Sequence, residues 1–118
     1  MRRASIITAG MLAGMTAQAA AQTDAQRDVV RQLSEATILA QSCTGQAIDG
    51  DVERATIERA GIDPAHMRDG GPYDLIALTT MRETMATLDA ATGDGPCEAA
   101  LIMYGETGAS IPGLIVAE

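Results

Sequence analysis

The sequence is poor in large and basic side chains. Its 118 residues include no tryptophan, phenylalanine, lysine or asparagine, and the only aromatic side chains are those of Tyr73 and Tyr104. A hydrophobic core therefore has to be built from Leu, Ile, Val, Met and Ala, which bury less area per residue than aromatic rings do. Because about 97 residues follow the apolar N-terminal segment, the chain is long enough for one small domain and no more.

The N-terminal segment has the pattern of an export signal. Arg2 and Arg3 precede a short apolar run over residues 4–15, and the small residues up to Ala19 and Ala21 offer two signal-peptidase sites. The apolar run is well short of the roughly 20 residues that a membrane-spanning helix needs, and no later segment comes closer. Twin-arginine export and a first helix of the folded domain are the two alternatives left open.

These features predict a signal peptide over residues 1–21 and a single helical domain over residues 22–118. The mature chain is expected in the periplasm or outside the cell, without membrane insertion. Removing the leader takes away two arginines and no acidic residue, so the formal charge changes from −8 to −10. Since the remaining arginines are spread singly, nucleic acid and anionic lipid are not expected to be partners.

The two cysteines, Cys43 and Cys97, both lie in the predicted mature part. An exported protein with an even number of cysteines usually oxidises them, so we predict one disulfide. Closing a loop of about 55 residues stabilises a fold by roughly 4 kcal/mol in the chain-entropy model. A redox-active or metal-binding role is disfavoured, because the chain has neither a Cys-x-x-Cys pair nor a histidine cluster.

Helix signals cover most of the mature chain. Thr23 and Gln26 have capping-box spacing and predict the start of a first helix, which Gly45 ends. The apolar positions of that helix that share one face are Val29, Leu33, Ala36, Ala40 and Cys43. Asp49 or Asp51 can cap a second helix that ends at Gly61. Asp63-Pro64 then predicts a brief helical turn.

The second half of the chain predicts two further helices. One follows Pro72, and the apolar positions predicted to face the core are Leu75, Leu78, Met81, Met85 and Leu88. The last helix opens at Pro96 with Cys97 in its first turn and ends at Gly105. The tail over residues 105–118 is predicted not to be helical, and its apolar end, Leu114-Ile115-Val116, is predicted to dock as an extended segment. The predicted fold is all-α, a small bundle of three to four helices with one disulfide and an extended C-terminal tail.

No residue pattern in the chain specifies a catalytic, cofactor-binding or metal site. Asp49, Asp51 and Glu53 alternate like the opening of a calcium loop, but Arg54 and Ala60 stand where that loop needs glycine and glutamate. His66 is the only histidine, so zinc binding and a catalytic triad are both disfavoured. Ser110 lies outside any nucleophile-elbow pattern. The protein is therefore predicted not to be an enzyme and to need no cofactor.

The order of these features resembles a known group of proteins. A helix ends in Cys43, a second cysteine at Cys97 opens another helix, and the motifs Tyr104-Gly105 and Ile111-Pro112-Gly113-Leu114 follow. In this layout the chain resembles the small, cysteine-paired helical exported proteins of alphaproteobacteria, a group without an assigned activity. The resemblance implies an exported helical domain and carries over no site residue. A looser similarity, in size and one widely spaced cystine, links the chain to small helical acid-stress chaperones of the bacterial periplasm.

Three functions are compatible with the sequence. The leading hypothesis is a non-enzymatic periplasmic interaction or accessory protein with a protein partner. The first alternative is an acid-stress chaperone, because protonation of sixteen carboxylates would leave a charge of about +7 and loosen the packing. The second alternative is a small hydrolase of wall or glycan material that works through paired carboxylates. Its candidate residues are Glu35, Glu83, Glu98 and Glu106.

Overall fold

The structure, a computed structural model, describes residues 22–118, so the predicted signal peptide lies outside the described residues. In chain order the elements are α1 (Asp24–Ser42), β1 (Gln46–Ile48), α2 (Gly50–Arg59), a 3-10 turn (Pro64–Met67), α3 (Asp74–Ala90), α4 (Gly95–Tyr104) and β2 (Ile115–Ala117). The predicted fold class is confirmed, since the described chain is mainly helical and carries one disulfide. None of the helices in this part of the chain has the length and apolar character needed to cross a membrane.

Local hydrogen bonds explain where the helices begin. The Thr23 hydroxyl accepts from the Gln26 backbone amide at 3.0 Å, and the Gln26 side-chain oxygen accepts from the Thr23 amide at 3.1 Å. This reciprocal capping box satisfies two amides that a helix start leaves without partners. Asp49 accepts from the amide of Asp51 at the start of α2, and Asp63 caps the 3-10 turn in the same way. The predicted starts at Thr23 and Asp63 are confirmed, and of the two candidate caps for α2 the structure uses Asp49.

The disulfide joins the C-terminal end of α1 to the first turn of α4. Cys43 and Cys97 have Cα atoms 5.6 Å apart, which is within the usual range for a cystine. Next to the bond, the Gln46 side-chain amide donates to the Cys97 carbonyl at 3.2 Å. The predicted cysteine pairing is confirmed, together with the predicted approach of these two helix ends.

Helix α1 lies at the centre of the fold and packs mainly against α3, with α4 and β1 also in contact with it. The buried residues of the main core come from α1, α4 and the tail, and they are Leu33, Ala36, Leu39, Ala40, Ala100, Tyr104, Ile111, Leu114 and Ile115. A smaller cluster joins α1 to the segment before α3 and consists of Val30, Ile62 and Tyr73. The core is thus aliphatic except for two tyrosine rings.

The C-terminal tail docks as predicted, but it also forms a strand that the sequence did not indicate. Strand β2 pairs with β1 in antiparallel fashion, with Ile48 opposite Ile115. Just beyond the pairing, the Asp49 amide donates to the Leu114 carbonyl at 2.8 Å. The tail can turn back because Gly108 has no side chain, since a Cβ there would lie 2.5 Å from the Met103 carbonyl oxygen. Three-residue strands carry too little alternation to be recognised in a sequence.

Helix α3 differs from the prediction in the face that it buries. Leu75, Leu78 and Met85 were expected in the core, but their side chains are 77%, 49% and 54% exposed, so that expectation was wrong. The helix instead turns Thr80 and Thr84 inward, with only 5% and 8% of their surface exposed. Of the other two predicted core positions, Met81 and Leu88 are half-buried.

Burial of Thr84 on the inward side of α3 is compatible with its polarity because its hydroxyl bonds within the helix. Thr84 donates to the Thr80 carbonyl at 2.8 Å, and its hydroxyl therefore retains a hydrogen bond away from water. Consequently, three of the five leucine and methionine positions with three-four spacing lie on the solvent-exposed side of α3.

Candidate functional site

A hydrogen bond between a buried tyrosine and a half-buried glutamate joins α4 to α1. Tyr104 has no exposed surface, and its hydroxyl donates to the Oε1 atom of Glu35 at 2.6 Å. Burial raises the pKa of Tyr104, and the hydrogen bond to Glu35 and the charge of that carboxylate raise it further. The phenol is therefore protonated at neutral pH and holds one oxygen of Glu35 in a defined position.

Glu35 lies in a groove between α1, α3 and α4, which we call the carboxylate groove. Its volume is about 460 Å³. The residues that line it are Arg31, Glu35 and Leu39 of α1, Thr80, Glu83, Thr84 and Thr87 of α3, and Gly95, Pro96, Ala99 and Met103 of α4. Arg31 is paired with Asp28 on its own helix. The groove thus combines two carboxylates, contributed by Glu35 and Glu83, with a partly apolar lining.

A second feature is the solvent-exposed side of α3. Leu75, Leu78 and Met85 follow helical spacing and form one stripe, which we call the α3 face. Leu78 also lines a small crevice against α1 with three acidic side chains, those of Glu53, Asp69 and Asp74. The α3 face is therefore an apolar stripe that includes one cation, Arg82, with acidic side chains in the crevice beside Leu78.

The structure separates the four carboxylates that were considered for hydrolysis. Glu35 and Glu83 line the carboxylate groove, whereas Glu98 and Glu106 are exposed and do not contribute to it. The pairing of Glu35 with Tyr104 was missed at the sequence level. A buried tyrosine needs a hydrogen-bond partner, but nothing in the local sequence identifies which of sixteen carboxylates, here one 69 residues away, supplies it.

The remaining candidate residues have local structural roles. Asp49 caps α2, and Asp51 pairs with Arg54 one turn later. His66 is exposed and lies 3.9 Å from Asp63, while Ser110 is exposed in the tail. Within residues 22–118, no three histidine, cysteine or acidic side chains are grouped so that they could hold a metal ion.

Comparison with known proteins returns no match: no family model, no curated protein and no solved structure is significantly similar to this chain. Neither the catalytic residues of a family nor the partner of a relative can therefore be transferred to it. The carboxylate groove and the α3 face are the two surfaces that we consider as binding sites.

Proposed function

We propose that this protein is a non-enzymatic, exported interaction protein that binds a partner protein through the α3 face. The observation that carries the proposal is the exposure of Leu75, Leu78 and Met85 along one side of α3. Fully burying one such side chain stabilises a fold by about 1.5–3 kcal/mol. The exposed parts of these three side chains do not contribute to the stability of the isolated fold. A stripe of this kind is typical of a surface that a partner covers.

The surroundings of the α3 face indicate the chemistry of the partner. Glu53, Asp69 and Asp74 line the crevice beside it, and acidic side chains outnumber the single cation of the helix, Arg82. An amphipathic helix with apolar residues at three-four spacing and basic residues on its flanks would match both the stripe and the negative rim. We therefore take a basic amphipathic helix of another protein as the expected ligand of this surface.

Two further features support an extracytoplasmic site of action. The disulfide between Cys43 and Cys97 is of the kind that persists in oxidising compartments. The N-terminal residues carry the signal-peptide pattern described above. Together they favour the periplasm or the exterior as the place where the α3 face meets its partner.

Two synthetic helical peptides test this proposal. Both carry leucine at three-four spacing; one has lysine at the remaining positions and the other has glutamate. Calorimetry should show binding of the lysine peptide and much weaker binding of the glutamate peptide. The combined variant Leu75→Gln, Leu78→Gln and Met85→Gln should bind the lysine peptide at least about tenfold more weakly, a loss of about 1.4 kcal/mol or more.

The matched control changes exposed apolar residues elsewhere. Leu101 and Ile102 of α4 are also largely exposed, so Leu101→Gln with Ile102→Gln removes comparable apolar surface outside the α3 face. This control variant should bind the lysine peptide like the unchanged protein. Equal affinity for both peptides, or full affinity in the triple variant, would contradict the proposed function.

A further inference from the structure

We propose that the carboxylate groove is a binding site for a small amphiphilic amine. In this arrangement the ammonium group lies between Glu35 and Glu83, and the apolar body packs on Leu39, Pro96 and Met103. The groove and the α3 face are different surfaces of the fold. The inference therefore stands whether or not a protein partner binds to the α3 face.

The two carboxylates account for the preference for a cation. Within residues 22–118, neither Glu35 nor Glu83 forms an ion pair, and the one arginine that lines the groove, Arg31, is paired with Asp28 instead. An ammonium ion can pair with these two carboxylates, to which no cationic side chain of the described residues is bonded. An anionic ligand would meet two like charges in the same groove.

Tyr104 prepares Glu35 for this role. Its buried hydroxyl occupies Oε1 at 2.6 Å and restrains the carboxylate, which leaves Oε2 for a ligand. Because Glu35 is half-buried, its interaction with an ammonium group is screened less than that of a fully exposed carboxylate. Tyr104 is thus a positioning residue, and Glu35 and Glu83 are the groups that contact the ligand.

The lining indicates the rest of the ligand. A volume of about 460 Å³ is of the size that small-molecule sites have. Leu39, Pro96, Ala99 and Met103 offer apolar contacts, and the flexible thioether of Met103 can adapt to different shapes. Sugars are disfavoured, because both tyrosines are buried and no aromatic ring is free to stack on a sugar. A compact apolar body with one amine fits this chemistry best.

Three adamantane compounds test the inference, because they share one apolar body and differ in a single group. Calorimetry at pH 7 should show saturable binding of 1-adamantanamine, weaker binding of 1-adamantanol and no binding of 1-adamantanecarboxylate. Glu35→Gln and Glu83→Gln should each weaken binding of the amine by roughly fivefold, the factor expected when one partly exposed charge pair is lost. Binding of the alcohol should stay the same in both variants.

Two controls separate the carboxylate groove from other surfaces. Glu98→Gln removes an exposed carboxylate outside the groove and should leave the affinity for the amine unchanged. In spectra of methionine methyl groups, 1-adamantanamine should shift the signal of Met103 and not that of Met85, which lies on the α3 face. In Glu35→Gln the amide oxygen can still accept the hydrogen bond from Tyr104. This variant should therefore fold, and a loss of affinity in it reports on the charge of Glu35.

Three outcomes would overturn the inference. The first is equal binding of the amine and the alcohol, since it would show that the carboxylates contribute nothing. The second is a loss in Glu98→Gln as large as that in Glu35→Gln, since it would show a nonspecific effect of net charge. The third is a shift of Met85 without one of Met103, which would place the ligand on the α3 face.

Discussion

Tyr104 contributes to the core, to the end of α4 and, through Glu35, to the carboxylate groove. Its ring fills the main core, its position ends α4, and its hydroxyl reaches Glu35 on α1 at 2.6 Å. A tyrosine is suited to this position because an apolar ring and one polar tip can both be satisfied at the boundary between a core and a groove. The same contact connects the packing of the fold to the proposed ligand site.

The protonation of Tyr104 gives a prediction at high pH. Burial raises its pKa above the usual value of 10.0, so the unfolded chain loses this proton before the folded protein does as the pH rises. The contribution of protonated Tyr104 to the free energy of unfolding is complete below about pH 10. Above that pH the free energy of unfolding should fall by up to about 1.4 kcal/mol per pH unit. Urea unfolding followed by circular dichroism between pH 8 and 11.5 measures this slope.

Two tyrosine variants show which hydroxyl causes the loss of stability at high pH. The chain has no lysine and both cysteines are in the disulfide, so the tyrosines are the side chains whose usual pKa falls in this alkaline window. Tyr104→Phe should remove most of the slope, at a cost of about 1–3 kcal/mol at neutral pH for the lost hydrogen bond to a carboxylate. Tyr73→Phe should keep the slope, because Tyr104 remains. A slope that survives in Tyr104→Phe would contradict this assignment.

At the scale of elements, α3 shows where pattern reasoning succeeds and where it fails. Its existence followed from Pro72 and the three-four spacing, and the helix over Asp74–Ala90 confirms it. Its orientation did not follow, because both sides carry groups that can pack. Thr80 and Thr84 offer methyl groups, and the Thr84 hydroxyl is bonded within the helix, while Leu75, Leu78 and Met85 offer larger apolar area.

The orientation of α3 predicts a contrast between two leucine-to-alanine changes. Leu33→Ala removes a buried side chain of α1 and should lower the free energy of unfolding by about 2–5 kcal/mol. Leu75→Ala changes a side chain that is mostly in solvent and should have an effect within about 0.5 kcal/mol. Chemical unfolding of both variants beside the unchanged protein measures the difference. Equal losses would show that Leu75 is buried in solution.

At the scale of the whole molecule, the disulfide ties the ends of two helices to each other across 54 residues of sequence. The aliphatic core is small, and the cross-link contributes roughly 4 kcal/mol in the chain-entropy model. The tail adds to this link because Leu114 and Ile115 are buried beside α1 and α4. The disulfide and the docked tail therefore both hold α1 and α4 together.

Export and oxidation can be examined on the native protein. Mass spectrometry of the polypeptide purified from its producing cells should show removal of the leader after Ala19 or Ala21. The measured mass should be about two mass units below that calculated for the reduced polypeptide, because Cys43 and Cys97 are joined. An uncut leader, or two cysteines that react freely with an alkylating reagent, would contradict the extracytoplasmic assignment.

The sequence by itself determined the features whose partners lie within a few residues. The capping box at Thr23, the aspartate cap at Asp63 and the glycine exit at Gly61 are satisfied locally, so their spacing is sufficient to predict them. For α2 the spacing narrowed the cap to Asp49 or Asp51, and the structure uses Asp49. The cystine was predictable for a different reason, since two cysteines allow only one pairing.

Only the tertiary structure decided the orientation of α3, the pairing of β1 with β2, and the choice of Glu35 as partner of Tyr104. Each of these depends on groups that are distant in sequence, and each had several local alternatives of similar energy. Packing of the whole chain selects among them, because burying one face of a helix or one hydroxyl constrains every neighbour at once. Both proposed binding surfaces, the α3 face and the carboxylate groove, result from that selection.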